Sequence, residues 1–240
     1  SARRLGRGIA LALAADGAAV MINARSSLDK AKAVAAEIEK SGGRAAVCMA
    51  DVTRADDCAR LIGDAVAAFG RLDILVNNAG TNIRKAPQDY TLGEWREVLD
   101  TNLTSAFVAA QAAYPHLKRA GGGKIVNIGS MMSIFGAAFV APYGASKGGI
   151  VQLTRALACA WARDNVQVNA VLPGWIDTAL TRRAREDVAG LHERVLARTP
   201  AGRWGVPEDL AGIAVFLCSG ASDFVTGTAI PVDGGYSVQG

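Results

Sequence analysis

Six short β-rich runs alternate with longer helical stretches along the whole chain, and that alternation limits the fold more than any other feature. The runs are AAVMINA (18–24), RAAVCMA (44–50), LDILVNN (72–78), KIVNIG (124–129), VQVNAVLP (166–173) and FVTGTAIPV (224–232). Between them, residues 5–16, 28–41, 54–69, 91–120, 142–163 and 207–218 carry apolar residues at helical spacing. Strand, helix, strand, repeated, predicts an α/β fold: a parallel sheet covered by helices on both faces. The runs are almost continuously apolar, as burial on two sides requires. One stretch, 174–206, has no strand character. Long loops in compact domains often cover a site, so 174–206 is expected to be a substrate lid within a single domain spanning 1–240.

The beginning of the chain sharpens the topology. SARRLGRGIALALAADG starts in a glycine-bearing turn and runs into an amphipathic helix. In a Rossmann-like, doubly wound sheet such a turn follows the central strand. No strand-like run precedes it here. A sheet without that strand would leave two neighbours with unpaired backbone groups, which are costly when buried. The expectation is a natural polypeptide with about 10–20 further N-terminal residues, a strand and its lead-in.

Composition excludes several classes. The 240 residues carry 26 basic and 22 acidic side chains, a net charge of +4 that is scattered apart from Arg3, Arg4 and Arg7 and from Arg182, Arg183 and Arg185. No basic tail and no aromatic interleaving point to nucleic acid. With only His116 and His192, a multi-histidine metal site is excluded, and both are read as solvated. Cys48, Cys58, Cys159 and Cys218 are far apart and form no C-x-x-C, which argues against disulfide or zinc frameworks and for a reducing, cytoplasmic setting. No apolar run is long enough to span a membrane, and no signal peptide opens the chain.

The chemistry begins at YGASK (143–147). On a helix, Tyr143 and Lys147 share a face. A free phenol has a pKa of about 10, too high for an efficient base near neutrality. A neighbouring ammonium favours the phenolate and is expected to lower that value. Ser130 in NIGS (127–130) stands thirteen residues before Tyr143. NNAG (77–80), Asp51-Val52, PGWIDT (173–178), VDGG (232–235) and Asn102 in DTNLTSAF complete the set.

In that order and combination these motifs resemble the short-chain dehydrogenase/reductase family across essentially the whole chain. SARRLG is similar to the tail of the family's T-G-x-x-x-G-x-G turn, with Gly6 as the last glycine and Arg4 where the middle one usually stands. The resemblance implies a hydride-transfer oxidoreductase acting on a carbonyl or secondary alcohol. Tyr143 is then the acid or base, and Lys147 its tuning cation and a partner of the nicotinamide ribose. Ser130 donates to the carbonyl oxygen, stabilising developing charge. Asn102 holds a water that relays protons to Lys147. Cofactor contacts fall on Arg4, Gly6, Arg25, Asp51, Val52, Asn78, Ala79, Gly80, Tyr143, Lys147, Pro173, Gly174, Ile176 and Thr178. Ile176 and Thr178 hold the carboxamide, and Asp51 and Val52 meet the adenine.

Cofactor choice follows from the end of the second run. The position that usually carries an acid against the adenosine ribose is Ala24, and Arg25 follows it. An arginine pairs a phosphate bidentately, so NADP(H) is expected over NAD(H). NNAGTNIRK and PGWIDT resemble members acting on sugars and sugar acids, gluconate 5-dehydrogenase and deoxygluconate dehydrogenases among them. Arg84 is expected to meet a substrate carboxylate, and Met131, Met132, Phe139 and Trp175 to line the pocket wall. Two alternatives stay open: a 3-oxoacyl carrier-protein reductase using the 182–185 arginines as a docking face, and a catalytically silent dinucleotide-binding sensor or scaffold. The resemblance also implies a homotetramer built on the apolar faces of 105–114 and 148–161.

Overall fold

Every strand pairing in residues 5–240, which the computed structural model describes with the side chains of residues 179, 180 and 183 left aside, is parallel. Helix α1 (Leu5–Ala15) leads into β1 (Ala19–Ala24), α2 (Leu28–Lys40), β2 (Arg44–Met49), α3 (Ala55–Phe69) and β3 (Ile74–Asn77). Then come α4 (Leu92–Leu99), α5 (Ser105–Arg119), β4 (Gly123–Ile128), α6 (Ala141–Trp161) and β5 (Val166–Pro173). The chain ends with α7 (Ala179–Asp187), α8 (Leu191–Arg198), α9 (Ala211–Cys218) and β6 (Ala229–Val232). This is the doubly wound α/β architecture that the alternating pattern predicts.

The strands form two sheets, β2-β1 and β3-β4-β5-β6. Between the facing edges of β1 and β3 lies a cavity of about 400 Å³. Val20 and Met21 line one side, Leu75 and Val76 the other, and Ile9 and Leu13 of α1 reach it from a face. Arg4, expected at the phosphate turn, lies outside the described residues, as does Arg3.

Burial follows the two-sided pattern. All eight residues of β5 are buried, and its register sets Asn127 of β4 opposite Ala170. One core packs α1 and α9 on β4 and β5 through Ile9, Leu13, Val126, Val171, Leu210 and Leu217. A second packs α3, α5 and α6 through Ile62, Ala113, Leu117, Ile125, Leu157 and Val168.

Three expectations need correction. The helix over 91–120 is not continuous: a π-helical turn, Asp100–Thr104, separates α4 from α5. There the Ser105 amide donates to the Asp100 carbonyl and the Ser105 hydroxyl donates to Thr101 O at 2.6 Å. The strand expected over 224–232 begins only at Ala229, because Phe224 is solvent-exposed and Gly227 turns the chain with φ 76°. The stretch 174–206 is not loop throughout: it carries the two short helices α7 and α8. The residues ALTRRARED of α7 are too polar to show an apolar stripe, and Gly190 at φ 67° breaks the pattern before α8.

Candidate active site

Ser130 stands just past β4, at the N-cap of a 3₁₀ turn, Met131–Ser133. Gly129 brings the turn close to β5: a Cβ there would lie 2.3 Å from Leu172 Cδ2, so any other residue would have to displace that side chain. The Met132 amide donates to Ser130 Oγ at 3.2 Å, and the Ser130 amide donates to Ser133 Oγ at 3.2 Å. Ser133 Oγ in turn donates to the Lys147 carbonyl at 2.7 Å. The turn is thereby fastened to the helix that carries Tyr143 and Lys147.

Both residues sit in the first turns of α6. Lys147 is 4% exposed, and its ammonium donates to Ile128 O at 2.7 Å. Nζ lies 5.7 Å from the centroid of the Tyr143 ring. Burial lowers the Lys147 pKa to about 8. The phenol departs from the expectation: its pKa is raised, not lowered. Burial dominates, and the hydrogen bond with the Ser130 hydroxyl pulls the other way without overcoming it. Burial thus keeps the phenol in its acid form, and the Ser130 hydroxyl is the group that eases its ionisation.

Asn102, 2% exposed, sits in the π turn. Its Nδ2 donates to Thr81 O and to Ser146 Oγ, both at 3.0 Å, and its Oδ1 accepts from the Thr81 amide at 2.8 Å. The side-chain amide is spent on holding the segment after β3 against α6. Oδ1 accepts one bond and keeps its second lone pair, so these three bonds leave room for a water.

The same segment carries NNAG. Asn77 donates to Asn127 Oδ1 at 2.9 Å, and Asn127 donates to Thr154 Oγ1 at 2.9 Å, which ties β3, β4 and α6 together. Beyond Asn78, Ala79 and Gly80 are exposed. A Cβ on Gly80 would point at Asn102 Oδ1 and Lys147 Nζ, at 3.6 and 3.8 Å. Bare backbone thus lies beside the two polar groups, a surface suited to a flat ligand. The structure brings Gly80, Asn102, Ser130, Tyr143 and Lys147 into one place.

The other expected cofactor residues spread along the ends of the strands. Gly6 is buried at the start of α1. Arg25 is exposed just past β1. Asp51 accepts from the Thr53 hydroxyl and amide, and these bonds, helped by the charge of Arg25, hold its carboxyl below the usual range. Val52 accepts from the Cys58 thiol through its carbonyl. Pro173 closes β5, and Gly174 donates to Val232 O at 3.0 Å, with Asp233 Cα only 2.6 Å from where a Cβ would be. Ile176 is buried and bridges Gly205. Thr178 is less free than expected: with Thr181 it caps α7, accepting from the Thr181 amide.

On the substrate side, Arg84 is exposed. Its loop is held near the entrance of α6, since the Lys85 amide donates to Phe139 O at 3.2 Å and Tyr90 donates to Ile83 O at 2.5 Å. Met132 is half-buried, but Met131 is buried core rather than pocket wall. Trp175 packs edge-to-face on Trp204 and Tyr236, with ring centroids 5.6 and 6.4 Å away. Phe139 is 55% exposed. His192 is exposed, as expected, whereas His116 is half-buried. His116 Nδ1 is buried without a partner among the described residues, and His192 Nδ1 accepts from the Trp204 indole at 3.1 Å. Two supporting residues escaped the sequence reading, Ser133 and Ser146. Ser133 was visible in the S-x-x-S capping pattern after β4; Ser146 had no signal apart from lying beside Lys147.

Comparison with known proteins decides the family. Residues 1–237 match the family model described as enoyl-(acyl carrier protein) reductase. The chain is 42% identical to the 2-dehydro-3-deoxy-D-gluconate 5-dehydrogenase of Escherichia coli K12, over 97% of this chain and 90% of that protein. The chain belongs to the short-chain dehydrogenase/reductase family. It is 39% identical to the gluconate 5-dehydrogenase of Gluconobacter oxydans over 100% of this chain and 93% of the relative. The structure superposes with a TM-score of 0.93 on a gluconate 5-dehydrogenase from Burkholderia cenocepacia in complex with NADP and tartrate, at 39% identity, covering 99% of this chain and 92% of that one. Membership makes the chain a nicotinamide-dependent oxidoreductase. No described helix is long and apolar enough to cross a membrane.

Proposed function

We propose that the chain is an NADP(H)-linked dehydrogenase that interconverts a secondary alcohol and a ketone on an open-chain sugar acid. The observation that carries this reading is the gathering of Ser130, Tyr143 and Lys147 beside the bare backbone of Gly80. The curated relatives named for gluconate and deoxygluconate substrates support the substrate class.

The residues present suit a nicotinamide dinucleotide. Gly80 gives close backbone approach beside Lys147, and exposed Arg25 follows Ala24 where a carboxylate would repel a 2′-phosphate. NADP(H), when bound, supplies or accepts the hydride. Lys147 would hold the ribose with the donors not used on Ile128 O. Arg25 would meet the 2′-phosphate, and the ends of β1, β2, β3 and β5 would carry the remaining contacts at Asp51, Val52, Asn78, Ala79, Pro173, Gly174, Ile176 and Thr178. Ser130 donates to the substrate oxygen, and Tyr143 passes its proton to that oxygen in reduction or takes it in oxidation. Keeping the phenol protonated suits the reductive direction. Asn102 sets the NNAG segment against α6. Arg84 takes a substrate carboxylate, with Met132 and Trp175 at the wall and α7–α8 as the lid.

The carrier-protein alternative is weakened by the lid arginines. Arg182 and Arg185 both pair with Asp177, and Arg185 also stacks on Trp204 at 4.3 Å. Guanidiniums spent this way offer little to an acidic partner. We further infer a homotetramer in the cytoplasm. Exposed Trp95 and Phe107 on α4 and α5, and Phe224 and Val238 near the C-terminal end, support association.

A spectrophotometric screen at 340 nm (a conventional wavelength, about the absorbance maximum of reduced nicotinamide) tests the reading. Gluconate-type acids, neutral sugars and acetoacetyl thioesters are each offered with both cofactors. Turnover of an acid with NADP(H) supports it; turnover of the thioester alone rejects it. Arg84→Ala should raise KM for the acid.

A further inference from the structure

Of the described arginine side chains in 174–206, four are spoken for. Arg182 and Arg185 meet Asp177, Arg203 meets Asp209, and Arg194 donates to Ala189 O. Arg198, at the end of α8, meets neither a carboxylate nor a carbonyl among the described residues. It is nevertheless held in place. Its guanidinium carbon lies 4.9 Å from the centroid of Phe135 and 4.5 Å from that of Tyr236. The two rings are themselves edge-to-face, 6.3 Å apart at 75°. Ring faces attract the charge of a guanidinium but use none of its N–H donors. The result is an anchored cation with its hydrogen-bonding rim unspent, half of a bidentate carboxylate site.

Its place links it to the reaction. Phe135 closes the turn that Ser130 opens, with the Phe135 amide donating to Met131 O at 2.9 Å. Tyr236 packs on Trp175, and Phe135, Tyr236 and Met132 all pack against the buried cluster around Met131 and Leu172. We infer that Arg198 binds the carboxylate of the substrate and sets the preference for an acid over a neutral sugar. The inference rests on the sugar-acid reading and adds a specificity residue from the lid, on a different element from Arg84.

The test measures binding rather than turnover. Wild type, Arg198→Met, Arg198→Lys and Phe135→Leu are titrated, with NADP present, with gluconate and with gluconamide, its neutral isostere. Tryptophan fluorescence reports occupancy through Trp175 and Trp204. The expected result is a Kd for gluconate weakened about tenfold or more in Arg198→Met, with that for gluconamide unchanged. Arg198→Lys should recover part of the loss, and Phe135→Leu, which keeps the charge but frees it, should lose part. Light scattering runs alongside. Equal weakening for both ligands, or weakening that accompanies a change of oligomeric state, overturns the inference and gives Arg198 to packing or to a carboxylate of another subunit. Unchanged gluconate binding in Arg198→Met overturns this inference alone. A wild type that does not discriminate gluconate from gluconamide overturns the sugar-acid reading and this inference with it.

Discussion

The ammonium of Lys147 lies 5.7 Å from the centre of the Tyr143 ring while donating to the carbonyl of Ile128, the last residue of β4. The cation is buried and the tyrosine beside it half-buried, and both groups respond by shifting toward their neutral forms. Tyr143→Phe keeps the ring and removes the transferable proton. It should lower kcat about a thousandfold while leaving the NADPH affinity nearly unchanged, measured by stopped-flow turnover and cofactor fluorescence.

Burial holds the Lys147 pKa at about 8, against 10.5 for an unburied lysine. The charge that supports the phenol is thus present below about pH 8 and lost above it. Reductive kcat/KM should fall as pH rises through that value. For stability the sign is the reverse. Between the two values the unfolded chain binds more protons than the folded one, so stability increases with pH across that window. Lys147→Met removes the burial penalty at pH 7 and should stabilise the fold by about 1–2 kcal/mol while abolishing turnover. The gain should be smaller at pH 10, as thermal melts at the two values will read.

Asn102 makes three hydrogen bonds that join the π turn, the NNAG segment and α6. Asn102→Ala leaves the Thr81 amide and carbonyl without these partners. A loss of about 2–3 kcal/mol in urea denaturation is expected, together with weaker NADPH binding because Gly80 is no longer held beside Lys147.

Arg25→Ala should raise KM for NADP about tenfold and leave KM for NAD within about twofold, since only the 2′-phosphate distinguishes the two. Equal changes for both cofactors would reject the role given to Arg25.

Asp209 accepts from both terminal nitrogens of Arg203 and from the Val206 amide, which lower its pKa to about 2. An unperturbed aspartate sits at 3.8, so the stability it contributes is complete above that pH and lost as pH falls toward about 2. Asp209→Asn should cost about 1–2 kcal/mol at pH 7, with the difference from wild type vanishing in acid titrations.

The strands and the long helices were legible because two-sided burial and amphipathic packing print distinct periods. The reacting group was legible through motif order: Ser130, Tyr143 and Lys147 do come together. What escaped depends on tertiary surroundings. The direction of the Tyr143 shift is set by how much protein covers the phenol, which no four-residue spacing encodes. The break at Asp100–Thr104 lies in a stretch whose composition reads as plain helix, and within it Asn102 finds partners at Thr81 and Ser146 that are distant in sequence. The lid helices escaped because their contacts are ionic and aromatic, Arg185 with Asp177 and Trp204, rather than an apolar stripe.

The π turn has a consequence for how this helix can change. Each residue in a helix advances the chain by about 100°, so an extra one in a single turn offsets everything downstream by that angle. Ala106, Ala110, Ala113 and Leu117 are buried in the register that the offset creates. Deleting one residue from 100–104 would straighten α4 and α5 into a single rod and swing that row out of the core. The helix can accept substitutions along its exposed side, but its length is locked.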